Sequence, residues 1–284
     1  MRINTPTQAL EFIKSAGSAG DADLNLFLTA LAFSKIFNPD SEMSPCLILM
    51  EDMKDALSAL YTKTIEDEGA ETVYIKHGCL VKIIHEQFGF DGDENDYGDA
   101  DNADMFHVIK HKKGLPVALS VLYIHLAREM EWQAYGINFP GHFLMALEHE
   151  GDKIFIDPFR GGQEVHAGEM RQILKAIAGQ EAELSHDYYN RLDDKNVIIR
   201  LQNNLKSAYI ESEKYEDALK VTEALRLFVP NEHRLLFDSA ILKVKAGQFQ
   251  SAREDALEYV QKATNPKERV SGEQLLYEIE RALN

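Results

Sequence analysis

Residues 112–130 read KKGLPVALSVLYIHLAREM and contain the longest apolar run of the chain, from Leu115 to Ile124. Apolar residues recur there at the spacing of one helix face: Leu119, Leu122, Tyr123, Leu126 and Met130. Pro116 suits the first turn of a helix, where a missing backbone N–H costs nothing. The stretch therefore predicts a buried helix, and the run is only about half the length of a membrane span.

Three short extended runs follow this helix: QAYGINF, HFLMALEHE and KIFIDPF. The turn residues Glu150-Gly151-Asp152 separate the second run from the third, which predicts a small antiparallel meander over about residues 133–159. His142 and Asp157 lie on either side of this turn, and pairing through it puts Asp157 opposite about residue 145. We therefore expect a hydrogen bond between the His142 ring and the Asp157 carboxylate.

A helix that follows a glycine, then strands that carry a histidine and an aspartate, is the layout of papain-like enzymes. In those enzymes a cysteine at the helix N-terminus is the nucleophile, because the helix dipole stabilises its thiolate. The histidine acts as base and the acid orients it. His142 and Asp157 fit the last two of these roles.

The blocks KKGLP, NFPGHFL and DPFRGG, in this order and spacing, resemble those of the bacterial SirB-type family. Members of that family join a transglutaminase-like domain to tetratricopeptide repeats. The resemblance implies a mostly helical domain around a small sheet, a cytoplasmic setting and an undefined biochemical role. In active transglutaminase-like enzymes the nucleophile belongs in a Gly-x-Cys triplet at the head of the helix. Here the triplet is Gly114-Leu115-Pro116, so the resemblance implies a triad at Pro116, His142 and Asp157 that has lost its nucleophile.

The remaining segments are helical in pattern. Thr5-Pro6-Thr7-Gln8 has the form of a capping box, and another helix is predicted from about Asp21 to Phe37. Beyond residue 190 an offset of 34 residues aligns Tyr215 with Phe249 and Ala218 with Ala252, the period of tetratricopeptide repeats. We predict an α+β, mostly α fold: a transglutaminase-like domain at 1–190, then two repeats and a capping helix at 191–284.

Composition restricts the partners and cofactors. The net charge of −17 argues against nucleic acids and anionic membranes, because binding phosphates needs clustered cations. The acidic loop from Asp91 to Asp104 fails the EF-hand spacing, since Asp96 and Asn102 occupy positions six and twelve. His107 and His111 lie four residues apart without a third ligand, so we expect no metal and no cofactor. Two cysteines and no signal pattern point to the cytoplasm.

Three classes of function remain open. The favoured one is a non-catalytic protein-interaction or regulatory protein on a degenerate transglutaminase-like scaffold. The first alternative is a hydrolase or acyltransferase that uses His142 and Asp157 with an unidentified nucleophile, and the second is a small-molecule sensor. For the favoured class the 34-residue offset pairs repeat positions expected along one peptide-binding groove: Arg200, Asn203, Arg234 and Phe237.

Overall fold

The computed structural model describes residues 3–20, 23–95 and 98–283. The α-helices in these residues are α1 (Pro6–Ser18), α2 (Leu26–Phe37), α3 (Ser44–Glu68), α4 (Val73–Val81), α5 (Met105–His111), α6 (Pro116–Glu129), α7 (Ala167–Ala178), α8 (Asp194–Glu211), α9 (Tyr215–Phe228), α10 (Arg234–Lys245), α11 (Phe249–Lys262) and α12 (Pro266–Leu283). The strands are β1 (Asp91–Gly92), β2 (Lys113–Gly114), β3 (Gln133–Gly136), β4 (Met145–His149), β5 (Asp152–Asp157) and β6 (Gln163–Glu164). None of the described helices is long and apolar enough to cross a membrane.

The predicted mostly helical fold with a small sheet is confirmed. α1 begins with the predicted capping box, in which the Thr5 side chain accepts from the Gln8 N–H. α2 begins later than predicted, at Leu26, because Asn25 caps it, and Asp21 lies outside the described residues. α4 continues directly into a π-helical turn at Lys82–Gln87.

The sheet has the order β3-β4-β5-β6, and all its neighbouring strands are antiparallel. The short strand β6 was not predicted, and neither was a separate parallel pair between β1 and β2. β4 begins at Met145, so His142 lies in the turn before the strand rather than at its start. Met145 pairs with Ile156, which brings the end of β5 close to that turn.

α6 lies at the centre of the molecule, and its residues are buried without a break from Pro116 to Ile124. At its end Arg128 donates to the carbonyl oxygen of Ala134 and pairs through two nitrogens with the buried carboxylate of Asp194 at the start of α8. This bidentate pair, of the strong planar kind, fixes the first repeat to the central helix.

The two repeats, α8–α9 and α10–α11, do not stack alone. The hairpin of α1 and α2 packs against the first repeat, so closely that a Cβ atom on Gly17 would overlap the Phe228 carbonyl oxygen. Phe33 of α2 meets Phe228 edge to face, with ring centroids 5.7 Å apart. One hydrophobic core includes residues of α1, α2, α8 and α9. The N-terminal hairpin thus supplies the additional layer that two repeats need for stability.

A buried charge cluster joins three helices of the repeat region. Asp255 of α11 is 6% exposed and accepts from the Ser239 hydroxyl and the Lys243 ammonium, each at 2.6 Å. Arg226 of α9 adds a third bond at 3.3 Å.

We predict that Asp255→Ala lowers the free energy of unfolding by about 3–5 kcal/mol, because it leaves the Lys243 ammonium buried without its counter-charge. Urea denaturation of the full chain measures the effect. The matched control is Glu258→Ala on the same helix, which removes an exposed ion pair with Lys262 and should cost less than about 1 kcal/mol. Equal losses in the two variants would contradict the assignment.

Candidate functional site

The head of α6 carries no nucleophile. Pro116 is the first residue of the helix and is buried, and the preceding Leu115 N–H donates to the carbonyl oxygen of Asn102 at 2.8 Å. The nearest hydroxyl along the helix belongs to Ser120, which is 0% exposed and donates to the Pro116 carbonyl oxygen at 2.7 Å. The Ser120 hydroxyl is therefore bonded within its own helix and is not available as a nucleophile.

His142 and Asp157 form the expected hydrogen bond. The His142 Nε2 donates to Asp157 Oδ2 at 2.8 Å, and the carboxylate is 0% exposed whereas the His142 side chain is 15% exposed. The other oxygen, Oδ1, accepts from the Phe159 N–H at 3.0 Å and so caps a short 3-10 turn. The other ring nitrogen of His142, Nδ1, has no hydrogen bond to any described residue.

The glycine turns on either side of this pair are set by close packing. Gly141, Gly161 and Gly162 all have positive φ, at 73°, 62° and 79°. A Cβ on Gly141 would lie 2.5 Å from Ile177 Cδ1, and one on Gly162 would lie 2.6 Å from the Tyr123 hydroxyl oxygen. Glycine is required at both places by conformation and by space.

Two histidines that the sequence analysis did not single out hold the loop after Asp157. The His77 ring bonds the Gly162 carbonyl oxygen at 2.7 Å. The His85 ring lies beside Gly161 and bonds the Phe90 carbonyl oxygen at 3.1 Å. Their side chains come from α4 and the π-helical turn, so only the tertiary structure links them to the Asp157 loop.

The acidic loop folds against the head of α6 and the Asp157 turn. β1 pairs with β2 immediately before α6, and a Cβ on Gly92 would overlap the Phe159 carbonyl oxygen. Asn102 is buried and donates from its side chain to Asp93 Oδ2 at 3.2 Å. Asp96, which occupies position six of the loop in the EF-hand comparison, lies outside the described residues. No cluster of three or more metal-binding side chains occurs in the part of the chain that the structure describes.

Neither cysteine replaces the missing nucleophile. Both thiols are buried, Cys46 on α3 and Cys79 on α4, and neither lies on α6. Burial raises the pKa of Cys46 to about 11 and also raises the pKa of Cys79. Both groups stay protonated at neutral pH, and a protonated thiol is a poor nucleophile.

Ring contacts involve His107 and His111, the histidine pair noted in the sequence, and Trp132, the one tryptophan. The centroids of the His107 and His111 rings are 3.9 Å apart with the ring planes tilted by 36°, and His107 Nδ1 lies 3.4 Å from an oxygen of Asp101. Trp132 is 6% exposed and meets Tyr61 edge to face.

A groove of about 550 Å³ runs between α8 and α10. Two of the four residues expected along one groove, Asn203 and Arg234, line it together. Arg200 instead donates to the Phe139 carbonyl oxygen at 3.0 Å and lies over the Phe143 ring, in a smaller adjoining groove that Asn203 also lines. Phe237 packs on Tyr259 of α11 and is not in the lining. The groove therefore contains two of the four expected residues. Arg200 is drawn out of it because α8 borders the sheet region, which α10 does not.

The groove combines unpaired polar groups with an apolar floor. The side-chain amides of Asn196 and Asn203 have no bond within the described residues, and the Arg234 guanidinium has no ion pair there. Lys206 pairs with Asp238 at 2.7 Å across the groove. The apolar lining residues are Ile199, Leu225, Val229 and Leu235. Lys206, Asp238 and Asn196 were not found by the repeat offset, although Asn196 and Asn203 are seven residues apart on one helix face.

Comparison with known proteins agrees with this architecture. Residues 51–203 match the transglutaminase-like superfamily, and residues 205–276 match a tetratricopeptide repeat family. A UPF0162 protein of Vibrio cholerae is 29% identical over 83% of this chain and 85% of its own length. A UPF0162 protein of Xylella fastidiosa is 26% identical over 87% of each chain. Protein SirB1 of Salmonella typhimurium is 26% identical over 57% of this chain and 61% of its own, so the resemblance to the SirB-type family is confirmed.

Among solved structures, menin aligns with 98% of this chain and 75% of its own at 9% identity, with a TM-score of 0.36. That score is too low for the menin fold to bear on the site.

We predict that Asp157→Ala lowers the free energy of unfolding by about 1–3 kcal/mol, because the His142 ring and the Phe159 N–H lose a buried acceptor. Chemical denaturation measures the loss. Asp152→Ala, an exposed carboxylate at the start of the same strand, serves as the control and should change stability by less than about 0.5 kcal/mol. If Asp157→Ala changes stability no more than the control, the pair does not support the fold.

Proposed function

This chain belongs to the transglutaminase-like superfamily, and we propose that it acts without catalysis, as a protein-interaction module whose repeats hold an extended segment of a partner. The observation that carries the proposal is the contrast between two places. The head of α6 has a buried proline where a nucleophile is needed, whereas the groove between α8 and α10 carries polar side chains without protein partners.

The loss of catalysis follows from the available nucleophiles. Pro116 has no reactive atom, the Ser120 hydroxyl is bonded inside α6, and the thiols of Cys46 and Cys79 are buried and protonated. The His142–Asp157 pair then has a structural role, since the same carboxylate holds the turn that leads to Gly161 and Gly162.

The groove suits an extended peptide with an acidic side chain. Each amide of Asn196 and Asn203 offers a donor and an acceptor, which together match the C=O and N–H of an extended backbone. Arg234 provides a cation that binds a carboxylate through two parallel bonds. The leucines and valine of the floor offer contact for an apolar side chain. Tetratricopeptide repeats generally mediate protein–protein interaction, which supports this use of the region.

The setting proposed for this role is the cytoplasm, with neither nucleic acid nor membrane as partner. The net charge of −17 supports the exclusion of both, because it repels phosphates.

A second candidate function is hydrolysis or acyl transfer by the remaining pair. The His142 Nδ1, which has no bond to a described residue, favours it, since an imidazole held by a buried carboxylate is the arrangement of a general base. This candidate needs a nucleophile from outside the chain, such as a water molecule or a bound partner.

We predict that the purified protein does not join a fluorescent primary amine to a glutamine-containing peptide, because no group at the head of α6 can form the acyl-enzyme. Alkylation of the thiols should leave partner binding unchanged, because neither cysteine lines the groove. The assay compares the protein with His142→Ala in identical preparations. Acyl transfer that is present in the first and abolished in the second would overturn the non-catalytic proposal.

For the groove, we predict that Arg234→Glu combined with Asn203→Asp weakens peptide binding by about tenfold or more, since both changes place negative charge against an acidic ligand. Peptides selected from a displayed library are measured by fluorescence anisotropy, and circular dichroism checks that helicity and Tm are kept.

Two controls accompany this measurement. Arg171→Glu reverses an exposed charge on α7 and His142→Ala alters the transglutaminase-like region, and both should bind as the unmodified protein does. Binding that survives the groove variant, or that depends on His142, would show the assignment to the repeats to be wrong.

A further inference from the structure

A second cavity, of about 540 Å³, lies away from both the groove and His142. It is formed by the start of α1, the end of α2, the loop that follows α2 and the first turn of α3. The proposed function makes no use of this cavity.

The wall of this cavity contains a buried cation. Lys35 is 2% exposed, and its ammonium donates to the carbonyl oxygens of Pro39 at 2.9 Å and Ser41 at 2.6 Å. An ammonium has three donors, so one remains. No carboxylate of the described residues pairs with it. Buried charges are ordinarily paired, because moving an ion out of water costs several kcal/mol. Two neutral carbonyl oxygens therefore hold the charge of Lys35, and its third donor has no partner among the described residues.

The opposite charge lies at the rim. Asp40 and Glu42 line the same cavity with exposed side chains, and neither forms an ion pair within the described ranges. Ser44, at the start of α3, adds a hydroxyl, and no side chain caps that helix. The cavity thus presents one cation in its wall and two anions at its mouth.

Apolar side chains complete the lining. Leu28 and Met43 lie in the wall, and Leu47 is 44% exposed beside them. An exposed leucine next to a polar cavity offers contact area for an aliphatic group.

We propose that this cavity binds a free α-amino acid with an aliphatic side chain. Its carboxylate pairs with Lys35 and accepts from Ser44, and its ammonium lies between Asp40 and Glu42. The aliphatic side chain packs on Leu47. A simple anion leaves the two rim carboxylates unpaired and is repelled by them, whereas a simple cation is repelled by Lys35. A zwitterion satisfies both ends, and small-ligand sites of this size are common.

The test uses the full chain and three probes that differ by one charge: leucine, 4-methylpentanoate, which lacks the ammonium, and leucinamide, which lacks the carboxylate. Isothermal titration and amide NMR shifts measure binding. We expect leucine to bind, and each analogue to bind about tenfold more weakly or not at all.

Substitutions test which residues bind the carboxylate and which bind the ammonium of the amino acid. Lys35→Met should reduce leucine affinity by about tenfold or more, and Lys220→Met, an exposed lysine elsewhere, should not change it. Asp40→Asn with Glu42→Gln should weaken leucine binding but not that of 4-methylpentanoate. Since both rim residues are exposed, this variant keeps the test valid if Lys35→Met fails to fold. The proposal is overturned if leucine does not bind, if 4-methylpentanoate binds as tightly, or if the rim variant leaves leucine affinity unchanged.

Discussion

The structure depends on the need to cover α6 on every side. A helix that is apolar all round is stable only when other elements enclose it. Here α2, α3, α4, α5 and α8 pack on it together with β3, and the Asp157 turn touches it as well. The sheet and the first repeat therefore share one support. The Arg128–Asp194 pair adds a polar contact at the end of the helix. The two regions that the family models match meet within α8, at residues 203–205.

Local patterns predicted the elements whose causes are local. The spacing of apolar residues gave α6, the Thr5–Gln8 box gave the start of α1, and the turn near Gly151 gave the pairing of β4 with β5. The pairs β1–β2 and β5–β6 were missed because two-residue strands are too short to show a period. The packing of the first hairpin on α9 was also out of reach, since the contacts join residues about two hundred positions apart.

The difference between local and long-range contacts also explains which site residues were predicted correctly. His142 and Asp157 lie on one hairpin, so counting along the chain was enough to bring them together. Arg200 and Arg234 were equated by assuming that both repeats have the same neighbours. They do not: the first repeat borders Phe139 and Phe143, which engage Arg200, while the second borders α12. A repeat offset predicts where the backbone of a residue lies, but the position of a long side chain depends on the residues of the neighbouring elements.

The contact between Gly17 and Phe228 has a consequence for synthesis on the ribosome. α1 and α2 are made first, yet the helix that covers them is completed only at residue 228. At ordinary rates of translation the interval is about 10 to 40 seconds. Throughout it the part of the first hairpin that α9 covers, around Gly17 and Phe33, lacks its native neighbour. The nascent chain thus passes through a stage in which α1 and α2 are complete but α9, which packs on them, is not.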